Sequence, residues 1–377
     1  MNTLIPILIC GLLFAHLTEK TTLGVYGDGT RQTTQNKLLF IALLCTLALP
    51  VGLRRMYNDT GAYINGFNGS PSLLELLNSE ELYILTNPAF KVYTAIVHDL
   101  TDNYHIYFLI PAFFVQYAFI STIRRYSASF TLGIGLYICL GTYVFSIAAM
   151  KQTLAMAILM LGMPKLLDKK YLQYCLLVFV AFLFHTYAIA FAVLPLLAVK
   201  PWKAHTFILL FVVFVVMQNF ESIIGSFLDY ANEQGKDVAE YEVFDNAQVN
   251  IFRVAVYAVV PLLSLCLRAH LFRDEYDSCY NVLIHMSIIS FSFMLLGTVN
   301  GANMFGRMAN YFEFGMICSL AWIIRRAFTR ESARIITIVA VGCFLFYFYY
   351  AYKITLDFDE HYRAVTIVQF VQSLFAP

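Results

Sequence analysis

The sequence predicts an all-α, polytopic membrane protein with about twelve transmembrane helices. Composition is the first observation: 60% of the 377 residues are hydrophobic and only 13% are charged, whereas a soluble domain carries about 25% charged residues. So few charged side chains cannot cover a water-exposed surface. The second observation is that the apolar residues form long continuous runs. High hydrophobicity excludes a disordered chain, and a net charge of +1 argues against a nucleic-acid-binding protein.

The apolar runs approach the length of a bilayer-crossing helix, which needs roughly 20 residues for a core about 30 Å thick. They lack the alternation of polar and apolar residues that transmembrane strands require. No basic segment precedes the first run, so we expect it to be retained as a helix rather than removed as a signal peptide. The predicted spans lie near residues 2–17, 37–53, 104–123, 130–150, 152–167, 171–186, 187–199, 206–224, 250–268, 280–298, 305–324 and 335–353.

Basic residues in the short loops indicate the orientation, because cytoplasmic loops carry an excess of Lys and Arg. Six short loops together hold 16 of the 25 basic residues. Placing all six on the cytoplasmic side puts the two longest loops and both chain ends outside. The six basic loops lie at residues 20–37, 124–125, 165–170, 200–203, 268–273 and 325–334.

Residues 171–199 test this orientation, since they form one apolar run of 29 residues. As a single span, the run would place the acidic segment 225–249 inside and the basic loop 325–334 outside. As a hairpin or two half-helices turning near His185, it keeps every basic loop inside. We therefore predict the hairpin.

The chain is expected to form a single integral membrane domain over residues 1–377, with two external segments. Residues 54–103 contain a stretch at 72–102 that mixes Leu, Tyr and Phe with acidic side chains. This spacing is typical of amphipathic helices lying on a membrane surface. The second external segment, residues 225–249, is a strongly acidic loop.

Nine basic residues fall on the predicted outer side, against the inside bias. Five of them lie at or within the outer ends of predicted helices: Arg54, Arg55, Lys151, Arg253 and Arg307. Ionisable groups at such positions usually face a cavity or a partner, although an Arg at a helix end can also extend to lipid phosphates. Convergence from four distant parts of the chain favours a cluster that binds phosphate or carboxylate.

Three further polar residues admit both a structural and a functional interpretation. His185 is either a hydrogen-bonded core residue or a base that accepts a hydroxyl proton. Asp59 is either a helix cap or a carboxylate that orients a sugar hydroxyl. Glu313 lies inside an apolar run, where a buried salt bridge is the commonest explanation.

Motifs for other chemistries are absent from the sequence. It contains no P-loop, dinucleotide fingerprint, HExxH or GxSxG motif. None of the eight cysteines forms a CxxC pair, so neither a zinc site nor a disulfide framework is indicated. We expect no metal and no cofactor. Most of the 25 Tyr and 34 Phe residues fit interfacial aromatic belts.

Four stretches resemble the EpsG family of bacterial exopolysaccharide proteins, which is itself similar to Wzy-type polysaccharide polymerases. They are GLRRMYNDTGAYINGF, AAMKQTLAMAILMLG, VAFLFHTYAIAF and FGRMANYFEFGMI. In the second stretch, Lys151 stands where the family usually has Arg. The order, spacing and hydropathy fit nearly the whole chain. The matched positions are Arg54, Asp59, Thr60, Tyr63, Gln152, Phe184, His185, Arg307, Tyr311 and Phe312.

The resemblance implies a membrane glycosyltransferase of the GT-C class in the bacterial cytoplasmic membrane. It would join undecaprenyl-diphosphate-linked oligosaccharides, as donor and acceptor, on the outer face. Preorganised cations would stabilise the diphosphate leaving group without a metal. His185 is the first candidate base and Asp59 the second. The candidate binding residues are Arg54, Arg55, Lys151, Gln152, Arg253, Arg307, Tyr63, Tyr311 and Glu313.

Two other classes of function stay open from the sequence. A transporter or flippase for lipid-linked sugar would have the same general architecture, but transporters often show paired interrupted helices, which are not evident here. A membrane acyltransferase could use a lone histidine, but its family motifs are not evident. Membrane lipid, a flippase and a chain-length regulator are the further partners considered.

Overall fold

Helices form most of this chain, as the long apolar runs predict. The structure is a computed structural model that describes residues 1–21, 23–27, 30–34, 36–79, 82, 87–219, 247–273 and 278–375. It divides into two compact units: unit 1 comprises Met1–Pro195 and Arg334–Pro377, and unit 2 comprises Leu196–Ala333. Most of the predicted acidic loop, residues 225–246, lies outside the described residues.

In the described part of unit 1, ten α-helices precede unit 2 along the chain, and two short helices follow the long helix Arg330–Tyr349. Its elements are α1 (Leu4–Lys20), β1 (Leu23–Gly27), β2 (Thr30–Thr34), α2 (Lys37–Gly52), β3 (Arg54–Met56), α3 (Thr60–Asn68), α4 (Leu73–Asn78), α5 (Pro88–Leu100), α6 (Tyr104–Tyr126), α7 (Phe130–Cys139), α8 (Thr142–Ala148), α9 (Met150–Leu167), α10 (Tyr171–Phe184) and a 3-10 helix (Thr186–Leu197). Helices α2 and α9 both pack against α6, which is therefore central to this unit.

The remaining helices run from unit 2 back into unit 1. They are α11 (Ala204–Gln218), α12 (Ile251–Cys266), α13 (Arg268–Leu271), α14 (Ser278–Leu296), α15 (Ala302–Phe312), α16 (Phe314–Ala327), α17 (Arg330–Tyr349) with a π-helical end (Tyr350–Thr355), α18 (Phe358–His361), β4 (Arg363–Ala364) and α19 (Ile367–Ser373). Helix α14 is central to unit 2, since α11, α12, α15 and α16 all pack against it.

Three helices of the described chain are long and apolar enough to cross a membrane. They are α6, α14 and the continuous helix Arg330–Thr355. The most apolar window of α14 is 72% buried, whereas that of Arg330–Thr355 is only 17% buried. Helix α14 is therefore surrounded by other parts of the protein, while Arg330–Thr355 leaves most of its apolar surface exposed. These features confirm a helical membrane protein, but the predicted number of about twelve spans is not confirmed.

Breaks inside the apolar runs explain in part why the described chain has fewer bilayer-length helices than the twelve spans that the sequence predicts. The predicted span 130–150 is divided into α7 and α8, which meet at an angle of 52°. Gly141, at this break, has φ +106°, a conformation that residues with a Cβ rarely adopt. The predicted span 305–324 is likewise divided at Glu313, between α15 and α16. A hydropathy profile gives the length of an apolar run but does not show where the helix within it is interrupted.

The run 171–199 also breaks where the hairpin was predicted. His185 has extended backbone between α10 and the 3-10 helix. The Tyr174 hydroxyl donates a hydrogen bond of 2.8 Å to the carbonyl of Phe191, although a straight α-helix would separate these residues by about 25 Å. The chain therefore folds back on itself near His185.

The predicted external segment contains the short helices α3, α4 and α5. Helix α4 starts with a capping box in which Ser72 and Glu75 satisfy each other's backbone N–H groups. Leu76 is buried, while Leu74 and Leu77 are exposed, as expected for an amphipathic helix. Residues 80, 81 and 83–86 lie outside the described part of the chain.

Candidate functional site

A cavity of about 390 Å³ in unit 1 brings together residues from three separate parts of the sequence. Three of the predicted site residues lie on its wall, together with one lysine that the prediction did not include. Its lining residues are Asp59, Ala62, Tyr63, Gly66, Gly69, Ser70, Pro71, Leu76, Phe90, Lys91, Thr94, Tyr107 and Lys151.

Helix α3 places Asp59 and Tyr63 on the same side of the cavity. Asp59 immediately precedes the helix, and the backbone N–H of Tyr63 donates to the Asp59 carbonyl at 3.1 Å. Residues four apart in a helix lie on one face, so both side chains reach the same space. The Asp59 side chain makes no capping hydrogen bond, so the helix-cap interpretation of this residue is not supported.

Lys151 enters the cavity at the start of α9. Its backbone N–H lies 3.5 Å from the Tyr63 hydroxyl, and its ammonium lies 5.5 Å from the centre of the Phe90 ring. Tyr63 packs edge-on against the same ring, with centroids 5.9 Å apart. The cation is therefore held above an aromatic wall, an arrangement that favours a positive charge.

Lys91 and Thr94 bring a second cation and a hydroxyl from α5. They lie three residues apart and so share one face of the helix. The Thr94 hydroxyl donates to the Phe90 carbonyl at 2.9 Å and lies 3.2 Å from the Tyr107 hydroxyl. Because a threonine hydroxyl has one proton, Tyr107 is the donor in that second contact.

Two lysines and one aspartate give the cavity wall a formal charge of +1. Glycine, aromatic and hydroxyl groups line the rest. Cations of this kind bind phosphate as point charges, while hydroxyl and carboxylate groups can orient sugar hydroxyls. The cavity is therefore suited to an anionic ligand that also carries polar, ring-shaped groups.

Arg54 does not line this cavity. Its guanidinium is 1% exposed, donates from Nη1 to the Val51 carbonyl at 2.6 Å and from Nε to the Thr60 hydroxyl at 3.2 Å, and lies 4.0 Å from the centre of the Phe108 ring. Arg54 belongs to the short strand β3, which is not part of a helix that could cross the membrane. Desolvation by burial lowers the pKa of Arg54 to about 10, which still leaves it charged at neutral pH.

Three other predicted residues of unit 1 also lie away from the cavity wall. Arg55 is exposed, and Gln152 is 1% exposed within α9. His185 lies at the fold-back, with its ring 5.0 Å from that of Tyr187 in an edge-on contact. Helix α10, which ends just before His185, packs against α5 and α9, the two helices that carry Lys91 and Lys151.

The remaining predicted residues lie in unit 2, around the break between α15 and α16. Glu313 is fully buried and accepts a hydrogen bond of 2.7 Å from the Tyr257 hydroxyl. Arg253 lies 5.7 Å from the Tyr257 ring centre and 3.5 Å from the Asn310 amide oxygen. This cluster links α12 to both helices that meet at Glu313.

Arg307 and Tyr311 lie on α15 itself. The Arg307 guanidinium donates from Nε to the Asn303 amide oxygen at 2.9 Å, and Tyr311 is fully buried. The predicted site residues thus form two sets, one in each unit, and each set is organised by its own helices.

A histidine pair in unit 2 was not predicted. His205 Nε2 lies 3.1 Å from His285 Nε2, and His285 Nδ1 lies 2.9 Å from the Asn281 carbonyl oxygen. Since a carbonyl oxygen only accepts, His285 carries its proton on Nδ1 and accepts at Nε2. Among the described residues, no three His, Cys, Asp or Glu side chains are placed to hold a metal ion.

A wider cavity of about 600 Å³ in unit 1 is lined by parts of α1, α2 and residues 359–367. It contains none of the predicted site residues. Its Arg363 guanidinium is already bonded to two backbone carbonyls, those of Asp359 and Tyr362. Size alone would favour this cavity, but convergent charged side chains favour the smaller one.

Long apolar helices define a helical membrane protein, and its charged cavity is the candidate site. The chain matches the sequence model of the EpsG family over residues 37–362, which is most of its length. It therefore belongs to the EpsG family, as the sequence resemblance predicted. This family is associated with exopolysaccharide polymerases, which are glycosyltransferases. Neither a curated protein nor a solved structure matches the chain.

Lys91, Thr94, Phe90 and Tyr107 are the cavity residues that sequence reasoning missed. Lys91 was among the nine outer basic residues, but it lies in the external segment 54–103 and not at the end of a predicted span. Its spacing of three from Thr94 was a usable signal, because the two necessarily share a helix face. No sequence signal indicated that this face would meet α3 and α9.

Proposed function

We propose that this protein is an exopolysaccharide polymerase that joins undecaprenyl-diphosphate-linked oligosaccharide repeat units. The observation that carries the proposal is the convergence of Lys91, Lys151 and Asp59 on one cavity. A transfer of this kind needs cations for the leaving diphosphate and an acceptor for the proton of the attacking hydroxyl. The cavity supplies both types of group, and the family assignment supports the reaction class.

In the proposed reaction, a hydroxyl oxygen of the acceptor sugar attacks the anomeric carbon of the donor. The bond from that carbon to the diphosphate oxygen breaks, and its electron pair leaves with the lipid diphosphate. Lys151 and Lys91 stabilise the developing negative charge. The hydroxyl proton passes to Asp59, with His185 as the second candidate base, and Tyr63 orients a sugar or phosphate oxygen.

We also propose that the predicted site residues of unit 2 bind substrate. Arg253 and Arg307 are the further candidate cations for lipid-linked substrate, with Tyr311 and Glu313 beside them. Arg55 and Gln152 are retained as candidate ligands in unit 1. We place the reaction on the outer face of the cytoplasmic membrane, with a flippase and a chain-length regulator as the expected partners.

The test is reconstitution of the purified protein in liposomes with a lipid-linked repeat unit, followed by gel analysis. A ladder of longer glycans supports the polymerase. Substrate that stays unchanged and reappears in the opposite leaflet would instead identify a flippase. In a parallel reaction that also contains an acyl donor, repeat units acylated without elongation would identify an acyltransferase.

Variants of Lys151 assign the site. Lys151→Met removes a charge-assisted contact worth about 1.5–3 kcal/mol, so kcat/KM for the lipid-linked donor should fall roughly 10- to 100-fold. Lys151→Arg keeps the charge and should retain most activity. Lys170→Met removes an exposed lysine that pairs with Asp168 at 3.3 Å and serves as the matched control. Equal rates for Lys151→Met and Lys170→Met would reject the site.

The identity of the base is tested separately. Asp59→Asn keeps the shape of the side chain but removes its ability to take a proton, whereas His185→Ala removes the imidazole. The variant that loses turnover while still binding lipid diphosphate identifies the base. If His185→Ala polymerises at the normal rate, His185 is not the base.

A further inference from the structure

Arg54 differs from the two cavity lysines in how completely its guanidinium is enclosed. Both lysines are partly exposed, while Arg54 is 1% exposed. Phe108 covers one face of its guanidinium at 4.0 Å, and two of its nitrogens donate to protein oxygens. A substrate phosphate would have to displace these contacts in order to reach it.

The small cavity that Arg54 lines is too small for a phosphate group. Within the described part of the chain, Arg54 Nη2 has no hydrogen-bond partner. The adjoining cavity, which Ser146 and Thr153 also line, measures about 10 Å³. A space of that volume admits about one water molecule, so this nitrogen is not placed to bind a lipid diphosphate.

The groups that Arg54 does bind connect two elements of unit 1. The Val51 carbonyl lies in the last turn of α2, where helix carbonyls lack partners within the helix. Thr60 is the first residue of α3, and its hydroxyl donates in turn to the Tyr57 carbonyl at 2.5 Å. The guanidinium therefore ties the end of α2 to the start of α3.

The start of α3 is where the cavity residues are placed. Asp59 immediately precedes Thr60, and Tyr63 follows it by one turn on the same helix. A shift or loosening of this start would move both side chains relative to Lys151, which comes from α9. Misplacement of about 1 Å in a reacting group can reduce a rate about 100-fold.

We propose that Arg54 is a positioning residue for Asp59 and Tyr63 rather than a ligand of the substrate. The role rests on the proposed function, because it assigns a task to Arg54 within that same site. It predicts that the contact with Thr60 matters as much as the positive charge. A direct ligand would instead depend on the contact of its own guanidinium with the phosphate and would be indifferent to Thr60.

Three variants separate these roles. Arg54→Lys keeps the charge but cannot reproduce the planar, two-directional donation and the stacking on Phe108. Thr60→Val has nearly the same shape as threonine and removes the hydroxyl, while Thr60→Ser keeps the hydroxyl and serves as the matched control. Thr60 is fully buried, so none of its variants changes a surface that substrate contacts.

The measurements are kcat and KM in the polymerisation assay, binding of undecaprenyl diphosphate, and hydrogen exchange of the α3 amides. For a positioning role, Arg54→Lys and Thr60→Val should each lower kcat on the order of tenfold. KM and lipid diphosphate binding should change little, and exchange over residues 60–68 should become faster. Thr60→Ser should behave as wild type.

The opposite pattern would overturn the inference. If Thr60→Val is silent in kcat and in exchange, while Arg54→Lys retains turnover but weakens lipid diphosphate binding, Arg54 is a ligand. Exchange over α7, a buried helix of the same unit, reports whether a variant has lost its fold, and in that case Thr60→Val, the milder change, decides. If wild-type protein makes no polymer, the proposed function fails, whereas exchange in α3 and lipid diphosphate binding still decide the role of Arg54.

Discussion

The hydrogen bond from Tyr257 to Glu313 allows the contribution of one buried contact beside the junction of α15 and α16 to be measured. Glu313 is fully buried, and its Oε1 accepts from the Tyr257 hydroxyl at 2.7 Å. Removing the donor by Tyr257→Phe leaves the ring, and therefore its packing and its contact with Arg253, in place. The substitution thus isolates one hydrogen bond to a buried carboxyl group.

The expected cost follows from the type of bond. A hydrogen bond to a charged group contributes about 1.5–3 kcal/mol, and a bond between neutral groups about 0.5–1.5 kcal/mol. We expect Tyr257→Phe to lower the free energy of unfolding by about 2 kcal/mol. Tyr174 is a matched control, because its buried hydroxyl donates to a backbone carbonyl, that of Phe191, at 2.8 Å. Tyr174→Phe should cost about 1 kcal/mol.

The assay is reversible unfolding of the purified protein in mixed micelles, with the double variant Tyr257→Phe and Glu313→Gln included. In the double variant the coupling energy between the two positions should be at least half of the single effect. Exchange of α15 and α16 amides should increase in Tyr257→Phe and stay unchanged in Tyr174→Phe. A Tyr257→Phe protein within about 0.5 kcal/mol of wild type, or no more affected than Tyr174→Phe, would refute this account of Glu313.

Two further predictions concern stability in other parts of the chain. A Cβ added at Gly315 would collide with the backbone of Leu283 in α14, so Gly315→Ala should lower the unfolding free energy by about 1–3 kcal/mol. Gly342→Ala, where a Cβ meets nothing within 4 Å, should leave it unchanged or higher in the same micelle assay. Hydrogen bonds from the backbone and hydroxyl of Ser72 lower the pKa of Glu75. The stability that this carboxylate gives α4 is therefore present above its ordinary pKa of 4.5 and is lost as pH falls through the lower value of the folded protein. Amide exchange over residues 73–78, corrected for the intrinsic effect of pH, should rise on acidification in wild type. The rise should be absent in Ser72→Ala, and an identical pH response in both proteins would contradict the capping role.

Much of the secondary structure could be predicted from hydropathy, because bilayer-length apolar runs leave few alternatives to helix. The fold-back near His185 followed from requiring every basic loop to lie on one side. The division of 130–150 and 305–324 could not be predicted, because it depends on the positive φ of Gly141 and on a local turn at Glu313 between α15 and α16. Neither property changes the mean apolarity of a run.

The candidate site shows the same limit at the level of side chains. Asp59, Tyr63 and Lys151 were named from their charge, their position and the family resemblance, and they line one cavity. Arg54 was named on the same grounds but lies enclosed between α2 and α3. Lys91 was not among the predicted site residues, yet it lies on the cavity wall.

By itself, the sequence determined the class of protein, since a low charged fraction and long apolar runs require a membrane and helices. The sequence also determined the family, because four short motifs that resemble those of the family occur in the same order along the chain. Only the tertiary structure decided which cations face a common cavity and which is buried between α2 and α3. The physical reason is that charge and hydropathy belong to single residues and short windows. Burial and convergence depend instead on which helix faces pack together, and Arg54, Lys91 and Lys151 carry the same charge in three different environments.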